Sequence, residues 1–411
     1  MKLADKARAI RATLIERKRL RSPAQLRYAI ADGIGMLDAT AWDALTRDAG
    51  FFLSRGYLSG LEAVLPGNLK PRYALIFDEV NQPLAALHMQ LAEISLAQVR
   101  PRPAGKHQHA KALEQLAERA RQRVLVCGNL LTYGQHGVAF SDHVDTQLAW
   151  HGVAEVLYRV RKADTLRGDT HFVMIKDLHE PFTQSAACLT HLSYRSVETE
   201  PNMVLTLDAK WKNHDDYLAS LASKYRSNVR NAILKPMDEA GCAVQSLTDI
   251  TPHLSRMLML YEAVQANADF RPFLLPVEYF AALQRMAGAR FRCSVVQQSE
   301  IVLGFLITIA DGETAVAYHI GFDREAAGDL PIYLRLLHAG IADAIALNCK
   351  RISFGRTALE PKAALGAKPQ PFSILLRHRQ PVLNKLIKRL LLGIEHDEAP
   401  DRNPFKKTAG L

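Results

Sequence analysis

A mixed α/β fold in two successive units is what this sequence predicts, and three observations predict it. At 411 residues, 48% of them hydrophobic, the chain is long enough to give each of two ordinary domains a buried core. The second half reads as strand, helices, three antiparallel-looking strands, helix, strand, loop, strand. That order suits a mixed sheet with helices on both faces. The first half carries its own strand pair and then a helix leading to a further strand, a weak hint of a duplicated module.

Taken in order, residues 1–30 read as a basic helical arm, with Leu3, Ala7, Ile10 and Leu14 on one stripe and arginines around it. The first unit, 31–200, opens with short helices carrying Trp42 and Leu45, then Tyr57, Leu58, Leu61 and Glu62. Strands follow over 73–77 and 84–89, separated by a turn-like segment ending at Pro83. A loop over 99–109 and a helix over 110–121 lead into a strand over 124–126. Its end, Cys127-Gly128-Asn129, opens into the loop 132–137. A helix over 144–162 and a strand over 171–175 complete the unit.

The second unit, 201–380, begins with a strand over 203–207 and a helical region over 214–239, whose last turns Pro236 is expected to disturb. Helices over 252–267 and 277–287 precede strands over 291–296, 302–309 and 314–320, with Gly312 in the last turn. A helix over 332–347 and strands over 351–354 and 373–376 close the unit. The segment 381–411 is an amphipathic helix and tail. Pro381 begins it; Val382, Leu383, Leu386, Ile387, Leu390, Leu391 and Ile394 share one face, opposite Lys385, Lys388 and Arg389. Most such helices cover a core, which is the expected reading; a helix lying on an anionic membrane is the alternative.

Composition excludes several classes. No run of about 18 apolar residues is present, so a spanning helix is not expected, and the basic N-terminus lacks the apolar block of a secretory signal. The five cysteines, Cys127, Cys188, Cys242, Cys293 and Cys349, are odd in number and form no C-x-x-C pair, which argues against a disulfide framework or a metal site. A cytoplasmic location, peripheral to the inner membrane face under the membrane alternative, is the expectation. Lysine and arginine number 52 against 42 acidic residues, a net +10 that favours anionic partners.

Three segments carry a resemblance. Trp211, the run Asp216 to Arg226 and Arg230 resemble the helix that opens the second domain of FemAB-like acyltransferases of the GNAT superfamily. Phe354-Gly355-Arg356-Thr357 with Lys362, Leu365 and Gly366 is similar to the late strand and lysine loop of that group, and Phe52-Leu53-Ser54 with Tyr57, Leu58 and Glu62 to the first helix of its first domain. The resemblance implies tandem GNAT-like domains, a degenerate one at 31–200 and a more complete one at 201–380. It implies an N-acyltransferase that takes its acyl group from acyl-CoA or acyl-carrier protein, without a metal. One departure is clear. The place of the Gly-rich pyrophosphate turn reads Gly321 to Pro331 and holds only two glycines.

Acyl transfer to an amine needs a neutral acceptor, a polarised carbonyl and a stabilised leaving group. No Gly-x-Ser-x-Gly elbow is present, and Cys127 reads better as a core residue than as a nucleophile. Tyr318 and His319 end a central strand just before Gly321, where alternation allows only one of them to face the cleft; a structural histidine is the competing reading. Arg356 and Lys362 lie on a loop after a strand end, where ligands collect in open sheets; solvated loop charges are the competing reading. Lys224, Tyr225, Arg226 and Arg230 share a helix suited to gripping a phosphate or carboxylate, or form an ordinary solvated face. Glu62 is a candidate acceptor-site base. The acceptor reads as an amine, with a sphingoid or other lipid amine, an amino acid or an amino sugar as options. The alternatives are a Fem-type transferase using aminoacyl-tRNA on a cell-wall precursor, disfavoured by the lack of a coiled-coil arm, and a non-catalytic GNAT-like binding protein.

Overall fold

The apolar runs of both halves enter a single sheet. The computed structural model describes residues 3–95, 121–266, 273–391 and 400–406. The strands are β1 (Arg27–Ala31), β2 (Leu69–Phe77), β3 (Pro83–Ser95), β4 (Arg121–Cys127), β5 (Val138–Phe140), β6 (Phe172–Leu178), β7 (Arg195–Thr206), β8 (Cys242–Leu247), β9 (Phe291–Gln298), β10 (Ile301–Asp311), β11 (Thr314–Phe322), β12 (Arg351–Ser353) and β13 (Lys368–His378). Their order across the sheet is β1-β2-β3-β4-β6-β13-β7-β12-β11-β10-β9-β8, with β5 on β3.

Each half repeats one module. In the first, β2, β3 and β4 run antiparallel, and the helix Thr146–Ala163 crosses to β6, which lies parallel to β4. In the second, β9, β10 and β11 run antiparallel, and the helix Ile332–Ala346 crosses to β12, parallel to β11. β13 flanks β6 as β7 flanks β12, both antiparallel. The second half supplies β13 and the latter half of β7 and is the more complete of the two. One apolar core joins the halves: Trp42, Phe52 and Tyr57 pack with Phe280, Phe305, Ile307 and Tyr318.

Several expectations change. The basic arm is helical over Leu3–Arg21, but Arg27–Ala31 is β1, paired with β2; Pro23 bars the helix from continuing. β8, the far edge strand, was not anticipated, because its exposed residues carry no apolar alternation. β7 runs across 200/201. The loop expected over 99–109, and the helix over 110–121 apart from Arg121, lie outside the described residues. The region 214–239 is not one helix: it breaks at Leu221-Ala222, and the stretch from Ser223 to Glu239 loosens into a π-helical turn at Arg230–Leu234 just before Pro236, whose ring and missing N–H disturb the regular ladder as expected.

The terminal helix, Pro381–Leu391, reverses the expected core packing at its described positions. Val382, Leu383 and Leu386 are exposed, whereas Asn384 is buried. Asn384 anchors the helix by donating to Ser193 O at 2.8 Å and accepting from His378 N at 2.7 Å.

Gly321 is a packing requirement. A Cβ there would meet Tyr261 N at 2.6 Å and Leu260 C at 2.8 Å, backbone atoms of the helix Leu254–Gln265. Gly321→Ala is expected to force that helix off β11 and lower the unfolding free energy by about 2–3 kcal/mol, read from the denaturation midpoint.

Candidate functional site

A cleft of about 1330 Å³ lies between the halves. One wall is a sheet face with Asn202 and Val204 of β7, Thr314 and Val316 of β11, Ser353 of β12 and Phe372 of β13. The other wall comes from the first half: residues 46–51 and the loop Tyr133, Gly134, Gln135 and His136 that follows β4.

The sheet opens at this wall. β11 and β12 pair through only three residues each, Thr314–Val316 with Arg351–Ser353. Beyond Val316, β11 runs on to Phe322 while β12 stops, so the strands part. The hydroxyl of Tyr133, from the first half, reaches into the parting. It hydrogen-bonds Ala317 O and lies 3.1 Å from Ser353 O. With one proton for two carbonyls, it donates to one at a time. Its ring rests on Gly355, whose φ of 76° favours glycine and where a Cβ would meet the ring at 3.1 Å.

Asp311, at the end of β10, is the notable acid of the cleft. Its Oδ1 accepts from the Phe51 N–H, and Gly50, at φ 92°, lies where a Cβ would overlap the carboxylate. Burial raises its pKa to about 6, although bonds from the Phe51 and Phe52 amides, and then the Arg290 charge, pull the other way. Among the described residues its ion-pair neighbour is His136, 4.0 Å from Oδ2. Burial, and then the Lys176 charge, lower His136 to about 3, so that ring is neutral near pH 7. His136 Nε2 lies 3.3 Å from Tyr133 O and its Nδ1 has no hydrogen-bond partner. Arg290 lines the same cleft and acts on Asp311 from beyond ion-pair distance, so among the described residues no lysine or arginine is in ion-pair contact with the carboxylate, which is suited to hold an ammonium group and to take its proton.

The loop carrying Tyr133 is tied to a buried charge cluster. Asp177 of β6 pairs with Lys176 and with Arg356 of the second half, and accepts from Gly134 N at 2.9 Å. Lys176 also donates to Thr132 O at 2.7 Å. Burial, and then the Arg356 charge, hold the Lys176 amine well below its ordinary range, and burial lowers Arg356 to about 10. Arg356 also lies over the Phe372 ring at 5.4 Å.

The other sequence-expected residues sit elsewhere. Tyr318 and His319 both turn into the core between the halves, because a bulge shifts the β10–β11 register: Ile307 faces His319 and Thr308 faces Ala317. Strict alternation therefore fails at this pair. Tyr318 meets Tyr279 at 2.8 Å and Tyr57 at 3.4 Å through their hydroxyls, and Asn129 donates to Tyr57 at 2.9 Å. His319 lies 3.4 Å from the Tyr279 hydroxyl, and burial lowers it to about 3. Neither lines the cleft. Glu62 accepts from Ile34 N at 2.7 Å, bracing the turn at Gly33. Lys224, Tyr225, Arg226 and Arg230 also lie off the cleft: Tyr225 packs on the core, Lys224 and Arg230 are exposed, and Arg226 points to Leu221 O at 3.3 Å. Lys362 is buried on the helix Leu359–Ala364 and donates to Thr357 O; burial lowers it to about 7. Cys127 is a buried thiol pushed up to about 12 by burial.

The Gly321–Pro331 turn carries its own acid. The Asp323 carboxylate accepts from the amides of Glu325 and Ala326 at 3.1 and 3.2 Å, and pairs with Arg256 at 2.9 Å. With Glu325 and Asp329, and against Arg324, it leaves the approach to the helix Ile332–Ala346 net acidic. Among the described residues, no group of three or more His, Cys, Asp or Glu side chains is placed to hold a metal.

Sequence reasoning missed Tyr133, His136 and Asp311. The signal for the first two was their loop, which follows a strand end. Asp311 gave only the sign of an Asp-Gly turn.

Residues 223–363 match the model of the GNAT acetyltransferase domain. No curated protein matches the chain. Among solved structures, FemX aligns over 86% of this chain and 98% of its own, at 10% identity and a TM-score of 0.51. A tandem GNAT protein from the clavulanic acid biosynthesis pathway covers 87% and 99%, at 12% identity and 0.49. The C-terminal domain of a putative lysylphosphatidylglycerol synthetase from Agrobacterium fabrum covers 86% and 96%, at 10% identity and 0.48. The family match assigns residues 223–363, the second copy of the duplicated strand–helix–strand module, to the GNAT acetyltransferase domain, a transferase domain, and the likeness to FemX shows a shared two-domain fold.

Proposed function

We propose that the protein transfers an acyl group from a thioester carrier to an amine bound in the cleft between the halves. The observation that supports this most is the buried Asp311 carboxylate on the cleft wall, at the turn of the β10–β11 hairpin whose second strand parts from β12. The acceptor ammonium binds at Asp311 and gives up its proton there. The amine nitrogen attacks the thioester carbonyl, the carbon–sulfur bond breaks, and the thiolate leaves with a proton. The donor's arm lies along the free edge of β11, and the Tyr133 hydroxyl, shared between Ala317 O and Ser353 O, is a proton donor placed at that edge.

Asp323 bears on the donor. Its carboxylate already occupies turn amides that a pyrophosphate would use, which favours acyl-carrier protein over acyl-CoA. The acceptor class spans small amines and lipid amines. Incubation with acyl-CoA or acyl-carrier protein and a panel of amines tests the reading: amine-dependent release of free thiol supports it, and no release with either donor overturns it. A response confined to charged tRNA would transfer the site to the Fem-type alternative.

Lys362 acts as a positioning residue in this reading, holding Thr357 O and so the loop that carries Arg356. Lys362→Met removes a buried amine without leaving a void. It is expected to keep the melting temperature and donor affinity while kcat falls by roughly 10–100-fold, as misplaced groups at a site cost. Unchanged kcat would remove Lys362 from the machinery.

A further inference from the structure

Most of the protein's formal charge sits on its two terminal helices. The helix Leu3–Arg21 carries seven basic residues against two acidic ones, and Pro381–Leu391 carries three basic residues and no acid. Together they account for +8 of the net +10. The same helices expose apolar side chains: Ile10, Leu14 and Ile15 on the first, at 58–61% of full exposure, and Val382, Leu383 and Leu386 on the second, at 42–72%. These are six of the fourteen large apolar residues exposed among the described residues.

Both helices are mounted on one segment of the first half. The N-terminal helix buries Leu20 in its last turn and packs against Ala186–Leu192, while residues 10–15 stand in solvent. The C-terminal helix is tied to the next residue, Ser193, through Asn384.

We propose that the two helices form one docking surface for an anionic lipid bilayer. Aliphatic side chains among basic ones match the acyl boundary and the headgroup layer of such a surface. A second copy of the chain is the poorer occupant, because it would set +8 against +8. Nucleic acid is also poorer: the exposed apolar residues are aliphatic, whereas single strands are gripped by aromatic stacking. Each basic residue near an anionic surface multiplies partitioning by about fivefold. Two helices on one body act together, so the second engages at a high effective concentration once the first is bound. The proposal stands independently of the acyl-transfer reading.

Co-sedimentation of the full chain with vesicles tests it. Binding is expected to vesicles of equal parts phosphatidylglycerol and phosphatidylcholine, at least tenfold weaker to phosphatidylcholine alone, and lost near 1 M salt, where the Debye length falls to about 3 Å. Ile10→Asp with Leu14→Asp, and separately Val382→Asp with Leu386→Asp, are each expected to weaken binding at least tenfold without lowering the melting temperature. Arg11→Gln with Lys385→Gln, at exposed sites, is expected to weaken it about 25-fold and keeps the test open should an aspartate variant misfold. No binding by the wild type, equal binding to neutral vesicles, or wild-type binding by these variants would overturn the proposal. So would a self-association or an RNA affinity that the same substitutions abolish in place of vesicle binding.

Discussion

Asp311→Asn is expected to lower kcat/KM for the acceptor amine by about 10²–10³-fold, the usual loss when a charge-stabilising group leaves an active site. Donor affinity should stay unchanged, since the proposed reaction gives Asp311 the amine and leaves the free edge of β11 to the donor. The fold should survive. Asparagine keeps an oxygen for the Phe51 amide, and the neutral side chain avoids the burial that holds the carboxylate at about 6. The sign of the pH effect follows. The base works only when ionised, so wild-type activity climbs as pH rises through about 6 and then levels. The raised value also means that the folded state binds this proton more tightly than the unfolded chain. Asp311 therefore favours the fold below the ordinary carboxylate range and loses that contribution as pH rises through about 6. The asparagine variant should lack the acidic limb of activity and melt no lower than wild type at pH 7. A variant with the wild-type profile would place the base elsewhere.

Asp177→Asn is expected to be the most destabilising single change in the cluster behind the cleft, costing about 3–5 kcal/mol. Asp177 is fully buried and is the shared partner of Lys176 and Arg356. Removing its charge leaves two cations facing each other without a counter-ion. Asparagine tolerates the left-handed backbone at this position, where φ is 55°, and keeps an acceptor for the Gly134 amide. The loss thus reports charge and not backbone strain. Adding Lys176→Met to Asp177→Asn should recover a large part of it, because one cation then remains. Denaturant midpoints of the three variants check this, and additive effects would contradict it.

The strand order of the second half was legible because apolar runs bounded by turns at 299–300 and Gly312 leave little choice of topology. The duplication was faint for a physical reason: β13 and β7 serve as matching flanks, yet β7 spans the junction of the halves and β13 ends the second, so no sequence period records them. The bulge that turns Tyr318 and His319 to one side depends on how β10 pairs, which no local pattern contains. Asp311 reads as a turn residue because its burial comes from Gly50 and Phe51, some 260 positions away. Tyr133 likewise joins β11 and β12 only in three dimensions. The apolar stripe of Pro381–Leu391 looks the same whether it meets a core or a surface; at its described positions it is Asn384, polar and unremarkable in the sequence, that is buried, and Val382, Leu383 and Leu386 that are exposed. Lys362 shows the limit of resemblance: its place was anticipated, but its bond to Thr357 O makes it a support for the loop and not a lining residue of the cleft.

In the proposed reaction the cleft joins an acyl group to an amine with Asp311 as base. Mass spectrometry of the reaction between acyl-carrier protein, an isotopically labelled amine and the enzyme tests it most directly. The account predicts a labelled amide that forms with the wild type and falls at least 100-fold with Asp311→Asn. Hydrolysed acyl acid without labelled amide, or equal amide from both proteins, would contradict it.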